Sequence, residues 1–200
     1  MKKIDSLISP QTKGFVTLCR RYFEYLAKLP DKKISDFWMV QLQMLSEIYS
    51  GIFQLPSITA RYSSEVEKFV SEREYNQIYS NLSSYIGALD KFFDFNDLSH
   101  PGALKVVEVS LSEMLTDVYQ ELKDFVMLYE TETLENMNDA IADCFDTFGR
   151  FWGVKLLSAT RIIHVNLYQQ RYAEAKKASQ LDDELEEEMA ENDNYEDEEL

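Results

Sequence analysis

The stretch ALKVVEVSLSEMLTDVYQELKDFVMLY, residues 103–129, decides the fold class. Its apolar residues recur at intervals of three and four positions, which places them on one face of an α-helix. They are Val107, Leu111, Met114, Leu115, Val118, Leu122, Phe125 and Val126. At 1.5 Å per residue, such a helix would be roughly 40 Å long. The sequence therefore predicts a long amphipathic helix over residues 103–129.

The same spacing resumes after the short sequence YETE and continues from Glu132 to Leu167. The apolar positions of this second run are Leu134, Met137, Ile141, Cys144, Phe145, Phe148, Trp152, Leu156, Ile163 and Leu167. Gly149 and Gly153 interrupt it and indicate close packing or a kink. Because the connection is tight, we expect the two helices to pair as a long antiparallel C-terminal hairpin.

Three earlier segments have the helical spacing as well, at about residues 11–28, 35–53 and 65–87. Six Gly and four Pro in 200 residues are few, which disfavours a turn-rich β fold. The sequence predicts an all-α protein, an antiparallel helical bundle of about five to six helices. Between Ala88 and Gly102 the pattern is lost, and we expect a long loop there.

Three aromatic side chains in this expected loop, Phe92, Phe93 and Phe95, form a candidate partner patch. By default such residues cover the end of a bundle. If they are exposed instead, they would form an apolar surface of the kind that marks a protein-binding site.

The net charge of −16 is concentrated at the C-terminus. Residues 181–200 contain twelve Asp or Glu and no Lys or Arg, which leaves 24 acidic and 20 basic residues for the first 180. A segment of this composition buries little apolar area to offset its ordering entropy. We therefore expect a helical bundle domain over residues 1–178 and a disordered acidic tail over residues 179–200.

The charge and the N-terminal sequence narrow the classes of function and location. An acidic surface repels phosphate, so direct binding of nucleic acid or an anionic membrane is disfavoured, whereas a basic protein partner is compatible with the charge. The first residues, MKKIDSLISPQTKG, lack the apolar run of a signal peptide. No stretch approaches the roughly 20 apolar residues of a membrane span, so we expect a cytoplasmic protein.

Three motifs in the C-terminal half resemble those of a family of uncharacterised bacterial proteins. The motifs are LTDVYQELKDFV, LENMNDAIADC and FWGVKLLSATRIIH, within residues 115–164. The family they resemble is domain of unknown function five-zero-six-three, which is typical of the Bacteroides group. The resemblance extends over roughly Phe15 to Tyr168 and implies no activity and no catalytic residue. The acidic tail lies outside it.

Four polar residues of these motifs form a candidate polar cluster: Asp117, Asp139, Arg161 and His164. Arg161 lies within the apolar run LLSATRIIHVNL, where an unpaired charge would be costly. We therefore expect Arg161 to pair with Asp117 or Asp139 across the C-terminal hairpin. The alternative is that Arg161 binds an anion together with Trp152, Lys155 and His164.

Two rows of acidic residues follow the hairpin helices at helical spacing. They are Glu113, Asp117, Glu121 and Asp124 on the first helix, and Glu135, Asp139, Asp143 and Asp146 on the second. Solvated faces are the expected interpretation, and paired carboxylates that chelate Mg²⁺ or act as acid and base are the alternative.

Motifs for other chemistry do not occur in the sequence. Neither histidine has the spacing of a di-iron or zinc site, and Cys19 and Cys144 form no C-x-x-C pair. No nucleophile elbow or phosphate-binding loop is present, so we predict no cofactor and no resident metal. We expect a non-catalytic accessory protein that binds another protein, and the acidic charge is compatible with a basic one. The alternative is a helical metal-dependent hydrolase that uses the paired carboxylates.

Overall fold

The structure, a computed structural model, describes residues 2–29, 33–58, 61–63, 65–95 and 105–196. Side chains are described for residues 5–29, 33–58, 61–63, 65–94 and 105–181. The chain forms an antiparallel helical bundle with a long C-terminal hairpin, as the sequence predicts. Its helices are α1 (Lys2–Leu7), α2 (Pro10–Ala27), α3 (Ile34–Ile52), α4 (Glu72–Ile86), α5 (Leu111–Tyr129), α6 (Leu134–Thr147) and α7 (Gly153–Glu196).

Side-chain caps begin several of these helices where the sequence offers a hydroxyl residue. The oxygens of Ser9, Ser71, Ser110 and Thr133 accept hydrogen bonds from backbone N–H groups in the first turns of α2, α4, α5 and α6, respectively. Each bond satisfies a donor that has no partner inside the helix, which stabilises the helix by about 1 kcal/mol.

The hairpin of α5 with α6 and α7 forms the centre of the bundle. Leu111, Leu115, Val118 and Leu122 of α5 are fully buried, and α2, α3 and α4 pack around the hairpin. A single π-helical turn, Phe148–Trp152, joins α6 to α7 without a break. Thus the second predicted helical run is continuous, with a local change of helical repeat in its middle.

Gly153, which follows the π turn, packs closely, as its position in the sequence predicts. A Cβ atom at this position would lie 2.4 Å from the carbonyl oxygen of Phe148 and 2.8 Å from its ring. At Gly149 an added Cβ would meet no heavy atom within 4 Å. Close packing is therefore confirmed for one of the two glycines.

Two paired strands occupy described parts of the predicted loop at residues 88–102 and of the helix predicted to begin at Ala103, and residues 96–104 lie outside the described residues. Strand β1 (Lys91–Phe95) pairs antiparallel with β2 (Val106–Ser110). Both strands are rich in aromatic or β-branched residues, which favour extended backbone. The helical periodicity assigned to residues 106–110 was therefore wrong, and α5 begins only at Leu111.

The buried carboxylate of Asp90 fixes the junction between β2 and α5. It accepts hydrogen bonds from the Ser110 hydroxyl (2.8 Å) and the Ser112 backbone N–H (2.7 Å). The backbone carbonyl of Asp90 also accepts a bond from the N–H of Leu111 (2.9 Å). These bonds hold the start of α5 against Asp90, which directly follows a 3₁₀ turn at Gly87–Leu89.

The last helix continues to Glu196, whereas the sequence analysis predicted disorder from residue 179. Residues 179–196 contain no Gly or Pro, and Glu, Leu, Met and Ala are good helix formers, so nothing in the segment ends the helix. The division into a domain and an acidic tail at residue 179 stays a prediction. Over the described residues, no helix combines the length and hydrophobicity needed to cross a membrane.

Candidate functional site

Two buried aspartates hold an irregular segment against the hairpin. This segment, residues 61–70, is called the strap here, and all of it except residue 64 is described. Asp139 of α6 accepts the backbone N–H groups of Tyr62 (2.6 Å) and Ser63 (2.7 Å). Asp124 of α5 accepts those of Phe69 (2.6 Å) and Val70 (2.9 Å) with one oxygen. The two carboxylates thus satisfy backbone donors that no helix or strand pairs.

Three carboxylates converge on Lys68 in the middle of the strap. Its Nζ lies 3.2 Å from Asp143 Oδ2, 3.9 Å from Glu121 Oε2 and 4.0 Å from Asp124 Oδ2. Arg61 adds a second cation, with Nη1 2.6 Å from Asp143 Oδ1. Glu121, Asp124 and Asp143 are called the acidic cluster, and the strap supplies its positive charge.

The electrostatics of the acidic cluster follow from its partial burial. Burial raises the pKa of Glu121 and of Asp124, although Lys68 opposes this effect at both. Burial alone would lower the pKa of Lys68, but the surrounding carboxylates outweigh it, so the pKa of this amine is raised. Lys68 therefore stays an ammonium at neutral pH and is no candidate for a nucleophile or a general base.

The space beside the acidic cluster is small. A cavity of about 10 Å³ is lined by Lys68 and the three carboxylates, together with neighbouring apolar residues. This volume is about the minimum that holds one water molecule. With the strap in place, the acidic cluster therefore has no room for an organic substrate.

Asp117, which is also buried, has a different set of partners. It accepts a hydrogen bond from the Tyr75 hydroxyl of α4 (2.8 Å) and forms an ion pair with Lys155 of α7. Burial, followed by the bond to Asp117, raises the pKa of the Tyr75 hydroxyl. The Lys155 ammonium also lies 4.3 Å from the centre of the Phe151 ring, a cation–π distance. Asp117 thus joins α4, α5 and α7.

The predicted pairing of Arg161 with Asp117 or Asp139 is wrong. Arg161 bonds to Asp94 of β1, with an Nη2–Oδ1 distance of 3.0 Å, and 54% of its side chain is exposed. His164 is also exposed, and its ring lies against that of Tyr168, with centroids 4.5 Å apart. Among the described residues, no hydrogen bond or ion pair joins any two members of the candidate polar cluster.

The interpretation of the two acidic rows as solvated faces holds for Glu113, Glu135 and Asp146 and fails for the buried members. Glu113 and Glu135 are exposed, but Asp117, Asp124 and Asp139 are buried. Their carboxylates face the strap and α4. The sequence analysis did not predict that these two segments lie beside them.

Backbone amides bind both oxygens of Asp139 and one oxygen of Asp124, and Asp117 binds the Tyr75 hydroxyl and Lys155. Asp124 Oδ2 is buried without a hydrogen-bond partner among the described residues and lies 4.0 Å from Lys68 Nζ.

The candidate partner patch is exposed at one of its two described side chains. Phe92 is half-buried and packs against the core, whereas Phe93 is 68% exposed. The side chain of Phe95 lies outside the described residues. Val106, which pairs with Phe95 in the sheet, is 63% exposed. The β-hairpin therefore presents apolar side chains to solvent.

A second apolar row, which the sequence analysis missed, lies on the exposed side of α7. It is called the outer stripe and consists of Val154, Leu157, Val165, Tyr168 and Tyr172, which are 40–77% exposed. At 100° per residue these positions fall within an arc of about 80°. The buried row of α7, which faces the bundle, is Trp152, Leu156, Ala159, Ile163 and Leu167. The sequence could have indicated the outer stripe, because its residues form a second apolar set at helical spacing.

The cysteines are buried, as predicted for Cys144. Cys19 and Cys144 are free thiols in the core, and burial raises the pKa of both. A thiol whose pKa is raised forms little thiolate, so neither group is suited to nucleophilic attack.

Comparison with known proteins gives a family and a similar structure. The family described as Domain of unknown function (DUF5063) matches residues 6–169. A crystal structure of protein BF1032 from Bacteroides fragilis is 28% identical, with a TM-score of 0.68. The match covers 80% of this chain and 93% of that chain. No curated protein matches.

Proposed function

We propose that this chain, which belongs to the family described as Domain of unknown function (DUF5063), is a non-catalytic accessory protein that binds a basic amphipathic helix of another protein. The outer stripe of α7 is the observation that carries this proposal. It is a row of exposed apolar residues that Arg161 interrupts at its centre, and the core does not include its members.

The dimensions and composition of the outer stripe fit a helical ligand. From Val154 to Tyr172 it extends about 27 Å, the length of five helical turns. Partner helices bind such rows through side chains at positions i, i+3, i+4 and i+7. Tyrosine is enriched at protein interfaces, and Tyr168 and Tyr172 form one end of the row.

The β-hairpin contacts α7 at the middle of the outer stripe through an ion pair. Arg161 lies at the centre of the stripe in the helical register, and its bond to Asp94 ties β1 to this part of α7. Phe93, the neighbour of Asp94 in β1, is exposed. Successive side chains of a strand point to opposite faces, so Asp94 faces the midpoint of the stripe and Phe93 lies on the other face of β1.

The charge of the chain supports a basic partner. The net charge of −16 attracts cationic proteins over distances that exceed direct contact, and this raises the rate of productive encounters. The stripe itself has few charges, so apolar contact would supply most of the affinity. The charge would act mainly on association, and its effect would decrease with added salt.

Photocrosslinking can test the binding surface directly. A photoreactive residue at Leu157 should crosslink the full-length chain to a basic protein in native lysate, and the same residue at the exposed Glu24 of α2 should not. The captured protein is then purified. Its affinity should decrease at least tenfold for Leu157→Asp and should be unchanged for Glu24→Ala. Equal crosslinking at both positions, or unchanged affinity for Leu157→Asp, would contradict the proposal.

The second candidate function, a metal-dependent hydrolase, is favoured by the convergence of Glu121, Asp124 and Asp143 in a half-buried site. Against it, the Lys68 ammonium already occupies the point where these carboxylates meet. One oxygen of Asp124 also accepts hydrogen bonds from two backbone amides. Cation binding would have to displace Lys68 and open the strap.

Calorimetric titration with Mg²⁺ and Mn²⁺ at physiological ionic strength distinguishes the two candidates. For the accessory protein we expect only weak, salt-sensitive association with the acidic C-terminal segment. A stoichiometric event at micromolar concentration, lost in Asp143→Asn and retained in the exposed control Glu135→Gln, would favour the hydrolase.

A further inference from the structure

One oxygen of the buried Asp124 carboxylate needs a hydrogen-bond donor. The side chain of Asp124 is only 3% exposed, and its Oδ1 atom accepts the backbone N–H groups of Phe69 and Val70. Its Oδ2 atom has no hydrogen-bond partner among the described residues. A buried charged oxygen without a donor is costly, so such atoms are normally bonded to the protein or to ordered water.

The Lys68 ammonium is too far away to be this donor. Its Nζ lies 4.0 Å from Asp124 Oδ2 and 3.9 Å from Glu121 Oε2, and both distances are longer than a direct hydrogen bond. Nζ is bonded to Asp143 Oδ2 at 3.2 Å, which uses one of the three N–H groups of an ammonium. A separation of this size is closed by a bridging water, because one oxygen atom can lie about 2.8 Å from both groups.

The cavity beside the acidic cluster has the size that a bridging water requires. Its volume is about 10 Å³, and Lys68, Glu121 and Asp124 all line it. Helices α5 and α6 form one side of the cavity, and the strap forms the other with Val66, Glu67 and Lys68. A buried water typically makes about three hydrogen bonds to polar groups that lack other partners.

We propose that this cavity binds one water molecule, which bridges Lys68 of the strap to Glu121 and Asp124 of α5. The water accepts a hydrogen bond from Lys68 Nζ and donates its two hydrogens to Asp124 Oδ2 and Glu121 Oε2. Both oxygens of Asp124 then have donors. The water is therefore part of the contact that holds the strap against the hairpin, and its site is separate from the outer stripe.

A neutral ligand suits the site better than a metal ion. Mg²⁺ takes oxygen ligands in octahedral geometry at about 2.0–2.1 Å and keeps several waters, for which a cavity of about 10 Å³ has no room. The Lys68 ammonium lies within 4.0 Å of an oxygen of each of the three carboxylates and would repel a second cation. Water supplies the missing donors without adding charge.

A crystal structure of the full-length chain at neutral pH, at a resolution that shows ordered water, tests the site. We expect one density peak about 2.7–3.2 Å from Lys68 Nζ, Asp124 Oδ2 and Glu121 Oε2. The absence of this peak would overturn the proposal. A peak with oxygen ligands at about 2.0–2.6 Å on all sides would also overturn it, because it would be a metal ion. A direct bond between the Glu121 and Asp124 oxygens would show a shared proton instead, and the proposal would be wrong.

Oxygen-17 relaxation dispersion counts the long-lived water molecules of the protein in solution. Lys68→Met removes the donor and keeps the length of the stem, so we expect one long-lived water fewer than in the unchanged chain. The matched control is Arg61→Met, which removes the other cation of the strap. Because Arg61 pairs with Asp143 and is no partner of the water, the count should stay the same. Circular dichroism checks that both variants fold. An unchanged count in Lys68→Met, or an equal loss in Arg61→Met, would contradict the assigned partners.

Discussion

Replacement of Lys155 by methionine should lower the free energy of unfolding by roughly 2–4 kcal/mol. Lys155 pairs with Asp117, whose side chain is only 9% exposed, and removal of one partner of a buried pair costs about 3–5 kcal/mol because the other charge is stranded. Two features reduce this loss: the side chain of Lys155 is 28% exposed, and the Tyr75 hydroxyl continues to donate to Asp117. Methionine keeps the length of the apolar stem, so the change isolates the charge.

Arg161→Met is the matched control. This arginine lies on the same helix, but 54% of its side chain is exposed. Pairs of this kind contribute about 0–1 kcal/mol, so we expect a loss below about 1 kcal/mol. Urea unfolding followed by circular dichroism measures the free energy of unfolding of both variants. If this free energy depends on urea concentration with the same slope in both, their unfolding midpoints can be compared directly.

A third variant separates the stranded charge from lost packing. Lys155→Met combined with Asp117→Asn should recover part of the loss, because a neutral amide needs no cation and can still accept from Tyr75. If Lys155→Met costs no more than Arg161→Met, or if the double variant is less stable than the single one, the buried pair does not hold α7 against α5.

Three further predictions concern other parts of the fold. Gly153→Ala should destabilise by about 1–3 kcal/mol because its Cβ overlaps the preceding turn, while Gly149→Ala should be neutral or stabilising; thermal unfolding compares them. Glu121→Gln combined with Asp124→Asn should flatten the pH dependence of stability. The pKa values of Glu121 and Asp124 are raised in the folded state, so their protonation stabilises that state. This stabilisation is complete below the ordinary carboxyl pKa and is lost as the pH rises through the raised values. Only the unchanged chain should therefore gain stability from these two groups on acidification towards about pH 4. Removal of residues 180–200 should change Tm by only a few degrees, because little apolar area is lost.

Local periodicity predicts most of the helices and the core of the hairpin. The apolar positions of residues 111–126 and the close packing at Gly153 follow from spacing and residue type. The β-hairpin was missed because Val106–Ser110 continues the helical period of α5 by chance. The strap was missed because its structure depends on Asp124 and Asp139, whose contacts lie 54–77 positions away in the sequence. Such contacts leave no local pattern.

The pairing of Arg161 was predicted from its apolar neighbours, but some of them, such as Leu157 and Val165, are exposed. The π turn at Phe148–Trp152 also changes the direction in which Arg161 points. In an uninterrupted α-helix, Arg161 lies eighteen residues, or five full turns, after Asp143, so both would face the acids of α5. A π turn holds one extra residue, which rotates everything after it by about 100°.

This rotation moves Arg161 away from α5 towards Asp94, where the structure has it. The same rotation places Lys155 within about 20° of the direction of Asp143, instead of about 120° away. Lys155 therefore reaches Asp117, and the π turn determines which of the two cations the buried carboxylate receives. Gly153, which directly follows the π turn, has no Cβ to collide with Phe148, and this allows the turn to pack as it does.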